Sequence, residues 1–160
     1  MTWTHLHLAL NHVPVIGILL VVLLLGAGVV RRNSELERTS YWLLAGLALI
    51  AVVVYFTGEP AEELVEGLPG YSEAMIEHHE EVALIATVGI VVLGLAAVVG
   101  LIRARRQREA PSGSYSKILL LLSLVVGGVM MWTANLGGQI RHTEIRPSAQ
   151  APAQVSGDKD

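Results

Sequence analysis

The chain has 160 residues, of which 52% are hydrophobic and 16% are charged, and its net charge is −3. Soluble domains carry about 25% charged residues, and disordered chains are richer still in charge, so the composition argues against both classes. The absence of cysteine excludes disulfides, thiolate metal ligands and cysteine nucleophiles.

Four apolar runs free of charged residues follow one another along the chain. Each has at least about 18 residues, enough to cross a hydrocarbon core of about 30 Å as a helix. Helices are expected because the bilayer offers no water to the backbone. The sequence therefore predicts an all-α transmembrane domain over 1–146, with spans at about 11–30, 41–58, 82–102 and 118–138. The remaining residues, 147–160, read as a disordered tail.

Basic residues predict the orientation of these spans. The loops at 31–40 and 103–117 are rich in arginine, whereas the loop at 58–81 contains no lysine or arginine. The positive-inside rule places the two basic loops in the cytoplasm. Both termini and the 58–81 loop then lie on the periplasmic side. The short cytoplasmic loops favour an up-down-up-down four-helix bundle.

The polar side chains that could carry chemistry collect on the predicted periplasmic side. The six histidines are His5, His7, His12, His78, His79 and His142, and the 58–81 loop adds eight glutamates. Elements distant in sequence therefore bring imidazole and carboxylate groups to one membrane face. Such groups together suit Fe, Zn, Cu or Mn ions.

This convergence predicts a transition-metal site for redox chemistry or metal handling. The expected ligands are His12, Glu59, Glu63, His79, Glu80 and His142. The expected supporting residues are Asn11, Glu62, Glu77, His78, Arg141 and Glu144. His12 stands out because ionisable groups at the mouth of a span are costly and usually functional. His5 and His7 alternate with leucines, which is more typical of an interfacial layer than of metal ligands.

Two other interpretations remain open. A b-type haem would need two axial histidines, for example His12 and His79, with Arg141 or Arg146 near its propionates. The glycine-rich spans leave room for a porphyrin, but the acidic outer loop opposes an anionic cofactor. Alternatively, the chain is a cofactor-free accessory subunit of a membrane complex, packing through its glycines, and it could form an oligomer.

Other functional classes find less support. No nucleotide-binding fingerprint or nucleophile motif occurs, although an open metal position would still permit catalysis. Transport is the least supported function, because the span interiors hold no ionisable residue. The basic loops are explained by topology and anionic lipid, so we expect no nucleic-acid partner. The expected partners are the bilayer and other membrane or periplasmic redox subunits.

Several motifs resemble a group of small bacterial inner-membrane proteins of unknown function. They are HLHLALNHVPVIG at 5–17, TGEPAEELVEGLPG at 57–70, IEHHEE at 76–81 and GGQIRHTEIR at 137–146. The resemblance covers nearly the whole chain except the tail. In these proteins the first helix begins with an Asn-His-x-Pro motif. It implies a multi-pass protein of the bacterial inner membrane but no activity. The matching positions are Asn11, His12, Pro14, Glu59, Glu62, Glu63, Glu77, His79, Glu80, Arg141, His142 and Glu144.

Overall fold

Helices account for the secondary structure of the described residues, 2–65, 68, 70–108 and 113–146, in which the computed structural model contains no strand. The helices are α1 (Trp3–Leu10), α2 (His12–Arg31), α3 (Ser34–Phe56), α4 (Glu59–Glu62), α5 (Glu73–Gln107) and α6 (Gly113–Arg141). A short 3-10 turn, Thr143–Ile145, follows α6. The predicted tail at 147–160 lies outside the described residues.

Four helical stretches in the described part of the chain are long and apolar enough to cross a membrane. They are Trp3–Arg31, which includes α1 and α2, then Ser34–Phe56, Glu73–Gln107 and Gly113–Arg141. The prediction of an all-helical fold with four helices long and apolar enough to span a membrane is therefore confirmed for the described residues. The last helix continues past Gly138, where the predicted span ends, and stops at Arg141.

Local sequence explains the tight connection between α2 and α3. Arg32 adopts a left-handed conformation with φ 52° and ends α2. The Asn33 side chain then accepts hydrogen bonds from the backbone N–H groups of Glu35 and Leu36, which is the usual role of an N-cap asparagine. Glu35 and Glu37 lie in the first turn, where negative charge complements the helix dipole.

The spanning helices pack in a closed ring. The packed pairs are α2 with α3, α3 with α5, α5 with α6, and α6 with α2. In this ring α2 lies diagonally opposite α5, and α3 lies opposite α6. The centre is filled by buried apolar side chains from all four helices, among them Ile18, Leu25, Leu44, Ile90, Leu93 and Leu119.

Glycines on α5 allow its close approach to α3. A Cβ atom at Gly94 would lie 2.5 Å from the Cβ of Ala48, and one at Gly100 would lie 2.6 Å from the ring of Tyr41. Neither position has room for a side chain, so each glycine allows a close contact with α3, as is common between membrane helices.

Contacts at the two ends of the ring define two polar layers. At one end Tyr41 of α3 meets Gly100 of α5 and Ser116 of α6. We call this the arginine end, because Arg31, Arg32 and the arginines at 103–108 lie beside it. At the other end His7 of α1 meets α3, and His79 of α5 meets α6. We call this the histidine end.

Candidate functional site

His7 is anchored to the last turn of α3. Its Nδ1 lies 3.0 Å from the carbonyl oxygen of Val54 and 3.3 Å from Oγ1 of Thr57. The Thr57 hydroxyl donates its own hydrogen to Val54 O at 2.9 Å, so both oxygens act as acceptors toward His7. Thr57 is 2% exposed, which makes this anchor part of the packed interior.

His79 is anchored in the same manner to α6. Its Nδ1 lies 3.1 Å from the carbonyl oxygen of Thr133. Gly137, one turn further along α6, is close to the ring, since a Cβ there would lie 3.1 Å from Cε1 of His79. The missing side chain at Gly137 therefore allows the half-buried imidazole to pack directly against the helix.

These anchors determine which imidazole nitrogen is available. A carbonyl oxygen can only accept a hydrogen bond, so Nδ1 carries the hydrogen in both His7 and His79. In the neutral ring this leaves the lone pair on Nε2. Histidines that bind metals are commonly held in this way, with Nδ1–H on a backbone carbonyl and Nε2 as the ligand atom.

The two rings also lie within electrostatic range of each other. His7 belongs to α1, which extends α2, and His79 belongs to α5, which is diagonally opposite α2 in the ring. His7 itself packs against the end of α3, which neighbours α5 in the ring. Glu80 is also within electrostatic range of His79, although its side chain is exposed.

His12, the strongest sequence candidate, lies on an exposed face of α2. Its Nδ1 pairs with Oδ1 of the neighbouring Asn11. Asn11 makes no capping hydrogen bond to α2, and its side chain is hydrogen-bonded to His12 instead. The structure gives the half-buried position to His7, which the sequence interpretation had assigned to the interfacial layer.

Most of the predicted carboxylates face outward. Glu62 is half-buried, whereas the five other glutamates of the predicted set are exposed: Glu59, Glu63, Glu77, Glu80 and Glu144. His78 is also exposed, with its ring 5.8 Å from that of Trp132 and its Nδ1 3.8 Å from a carboxylate oxygen of Glu81.

His142 contacts a carboxylate two residues further along the chain. Its Nδ1 lies 2.9 Å from a carboxylate oxygen of Glu144, and both side chains are more than half exposed. The pKa of Glu144 is lowered, first by a hydrogen bond from its own backbone N–H and then by the bond with His142. This contact makes a local ion pair at the surface when His142 is protonated.

The end of α6 is closed by Arg146, which is 8% exposed. Its guanidinium donates hydrogen bonds to the carbonyl oxygens of Gln139 at 2.8 Å and Ile140 at 2.9 Å, and to that of Gly70 at 2.8 Å. The first two are terminal carbonyls of α6, where positive charge is favoured. Arg146 thus joins α6 to the segment that precedes α5. Arg141 is exposed and donates only to the hydroxyl of Tyr71, at 3.3 Å.

No three His, Cys, Asp or Glu side chains come together in the described residues in a way that could hold a metal ion. The predicted six-ligand set is therefore not assembled as a group in this structure, and its role as a metal site stays a prediction. What the structure does show is two histidines at the same end, each oriented by a backbone carbonyl oxygen: His79, which was predicted as a ligand, and His7, which was not.

A second polar cluster fills the arginine end, and sequence reasoning missed it. Glu37 is 5% exposed, and Ser40, Tyr41 and Ser116 are fully buried. Ser116 donates a hydrogen bond to the Glu37 carboxylate and accepts one, at 2.9 Å, from Tyr41. Gly28 lies against Glu37. In the sequence Glu37 lies in an arginine-rich loop, where a carboxylate is expected to be solvated, so its burial had no sequence signal.

Comparison with known proteins gives a family but no activity. A family model described as a predicted membrane protein (DUF2231) matches residues 4–144. No curated protein and no solved structure gives a significant match to the chain.

Proposed function

The chain belongs to the DUF2231 family of predicted membrane proteins, and we propose that it is a bacterial inner-membrane protein that binds a transition metal at its periplasmic end. His7 and His79 are the protein ligands of that metal. The function served is redox chemistry or metal handling. The observation that carries the proposal is the shared anchoring of the two rings, with each Nδ1 on a backbone carbonyl oxygen.

The orientation belongs to the same proposal. The contacts at the two ends of the helix ring support an up-down-up-down order, and the arginines at 103–108 favour a cytoplasmic position for their end. The histidine end and both termini would then face the periplasm. Metal ions and periplasmic redox proteins reach such a site without crossing the membrane.

Physical chemistry supports a metal more than a purely structural role for the pair. A buried structural histidine needs only a partner for its polar atoms. Here two imidazoles are placed within electrostatic range, and protonating both would be unfavourable. A bound cation uses both Nε2 lone pairs and removes that conflict, since metal ligands must be deprotonated.

Metal analysis of purified variants tests the proposal. The wild-type protein in detergent is analysed as isolated, and again after incubation with Zn²⁺ or Cu²⁺ and desalting. We expect one metal per chain in the wild type and a loss of at least tenfold in metal content in His7→Ala and His79→Ala. His12→Ala is the matched control, because it removes an exposed histidine from the same end, and it should keep the metal.

Two results would overturn the proposal. One is a wild-type chain that binds no metal in either condition. The other is a metal that remains in His7→Ala and His79→Ala but is lost in His12→Ala, which would return the site to the ligand set expected from sequence. Circular dichroism and the elution volume of each variant show whether a lost metal merely reflects lost folding.

A further inference from the structure

The exposed basic side chains of the arginine end have no acidic partner in the described part of the chain. They are Arg31, Arg32, the four arginines at 103–108 and Lys117, and we call this set the basic collar. None of them has a described carboxylate within ion-pairing distance. The two described carboxylates of this end have other partners, since Glu35 pairs with Arg38 and Glu37 is buried against Ser116. The collar is therefore an uncompensated positive surface.

The histidine end of the ring carries the opposite charge. Its exposed glutamates include Glu59, Glu63, Glu77 and Glu80, and its exposed arginine among the described residues is Arg141. An anionic ligand is therefore attracted to one end of the protein and repelled by the other.

The collar directly continues apolar helix faces that lipid must cover. An exposed apolar residue neighbours a collar residue on three helices: Val30 and Arg31 on α2, Ile102 and Arg103 on α5, and Ile118 and Lys117 on α6. The predicted span of α5 begins at Val82, which lies about 32 Å along the helix from Arg103, and a hydrocarbon core is about 30 Å thick. Acyl chains that cover these faces therefore bring their headgroups to the level of the collar.

We propose that the basic collar binds the headgroups of anionic phospholipids in preference to zwitterionic ones. Guanidinium groups form strong charge-assisted hydrogen bonds with phosphate oxygens, and a headgroup without a cation of its own is not repelled by neighbouring arginines. A soluble acidic partner would meet the same charges but would leave the adjoining apolar faces uncovered. The proposal does not rest on the metal site, because the collar lies at the end opposite His7 and His79.

Two exposed tryptophans allow the two ends to be compared within the same chain. Trp42 lies at the arginine end, one helical turn after Arg38 on α3. Trp132 lies toward the histidine end, with its ring 5.8 Å from that of His78. The fluorescence of each tryptophan therefore samples the lipid at a different end of the helix ring.

Quenching by brominated lipids tests the proposal. Two single-tryptophan proteins are prepared, one with Trp3→Phe and Trp132→Phe and the other with Trp3→Phe and Trp42→Phe. Each is reconstituted into mixed vesicles of phosphatidylglycerol and phosphatidylcholine, in which one lipid at a time carries brominated chains. We expect phosphatidylglycerol to be preferred about threefold at Trp42 and not at Trp132. Added NaCl should weaken the preference, because salt screens exposed charges.

Removal of collar charges should reduce the preference at Trp42. Arg105 lies on the side of α5 that faces α3, because it is eleven residues, or three turns, beyond Gly94, whose Cβ would meet Ala48 of α3. Arg31 ends α2 beside the start of α3. We expect Arg31→Gln combined with Arg105→Gln to lower the preference by about half or more. Arg141→Gln is the matched control, because it removes an exposed arginine from the histidine end, and it should change nothing at Trp42.

Three results would overturn the proposal: no preference at Trp42, an equal preference at Trp132, or a preference at Trp42 that survives the double substitution. The first would leave the collar to a soluble acidic partner, and the second would reflect the vesicle and not the collar. Circular dichroism and the elution volume show that each variant is folded. None of these results bears on metal binding, which is measured separately in His7→Ala and His79→Ala.

Discussion

Ser116 of α6 donates its hydroxyl hydrogen to the carboxylate of Glu37 of α3, so two diagonally opposite helices are joined inside the arginine end. Tyr41 donates in turn to Ser116. The buried carboxylate is therefore the final acceptor in a chain of two hydrogen bonds. The opposite end contains the two anchored histidines, His7 and His79. The apolar core of the ring thus lies between two polar layers.

Removal of the Ser116 hydroxyl should destabilise the protein. In Ser116→Ala the Glu37 carboxylate loses its donor and the Tyr41 hydroxyl loses its acceptor, and a buried group left unsatisfied costs about 1–3 kcal/mol. We expect a lower midpoint when the detergent-solubilised protein is unfolded with SDS. Ser114→Ala is the control, because Ser114 is exposed on the same helix, and it should shift the free energy of unfolding by less than about 0.5 kcal/mol. Equal effects of the two substitutions would show that the hydrogen bonds from Tyr41 to Ser116 and from Ser116 to Glu37 contribute nothing to the free energy of unfolding.

The glycines of the spans should differ sharply in their tolerance of alanine. At Gly100 a new Cβ would lie 2.6 Å from the Tyr41 ring and 2.9 Å from the Tyr115 ring, so overpacking should cost about 1–3 kcal/mol. At Gly128 nothing lies within 4 Å, and alanine should stabilise the helix by up to about 1 kcal/mol. Both variants are compared by SDS unfolding.

The Gly128 result is informative in either direction. Stabilisation by Gly128→Ala means that lipid or solvent faces this position. Destabilisation of a similar size to that of Gly100→Ala would contradict the single-chain packing described above, because some further surface would then have to approach Gly128. A change in elution volume on size-exclusion chromatography would identify that surface as a second copy of the chain.

The three hydrogen bonds of Arg146 to backbone carbonyls should limit local unfolding at the end of α6. Hydrogen bonds to charged groups contribute about 1.5–3 kcal/mol, so Arg146→Ala should speed hydrogen exchange of the backbone amides at 139–146 by at least about tenfold. The amides near Gly70 should exchange faster too, because Arg146 holds that carbonyl. Arg141→Ala is the control and should leave both segments nearly unchanged, as its only bond is long and exposed. Faster exchange in both variants would assign the effect to the lost positive charge and not to the hydrogen bonds of Arg146.

Much of the fold was predictable because it depends on long apolar runs. Each run in the sequence lies within a helix or reaches one or two residues beyond its end, and length and composition alone decide whether a helix can span a bilayer. The site was less predictable. His7 alternates with leucines like an interfacial residue, and its partners Val54 and Thr57 lie 47 and 50 residues away in the chain.

Glu37 was missed for a related reason. In the sequence it is one charge among several in a basic loop, next to Arg38 and two residues from Glu35. Burial depends on contacts that are remote in the chain: Gly28 on one side and Ser116, 79 residues away, on the other. Local sequence patterns carry no information about such contacts, whereas they do show that Glu35 and Arg38 can pair one helical turn apart, as they do at 3.5 Å.

The proposed orientation can be measured directly because the chain contains no cysteine. Single cysteines are introduced at Glu63 and Gln107, which are exposed at the histidine end and the arginine end respectively. A maleimide reagent that does not cross membranes should label Glu63→Cys in intact spheroplasts, and should label Gln107→Cys only after permeabilisation. The expectation follows from the excess of arginine beside Gln107, since basic loops stay in the cytoplasm. The reverse pattern would place the histidine pair on the cytoplasmic side and contradict a periplasmic site, and labelling of both cysteines in intact cells would indicate a mixed orientation.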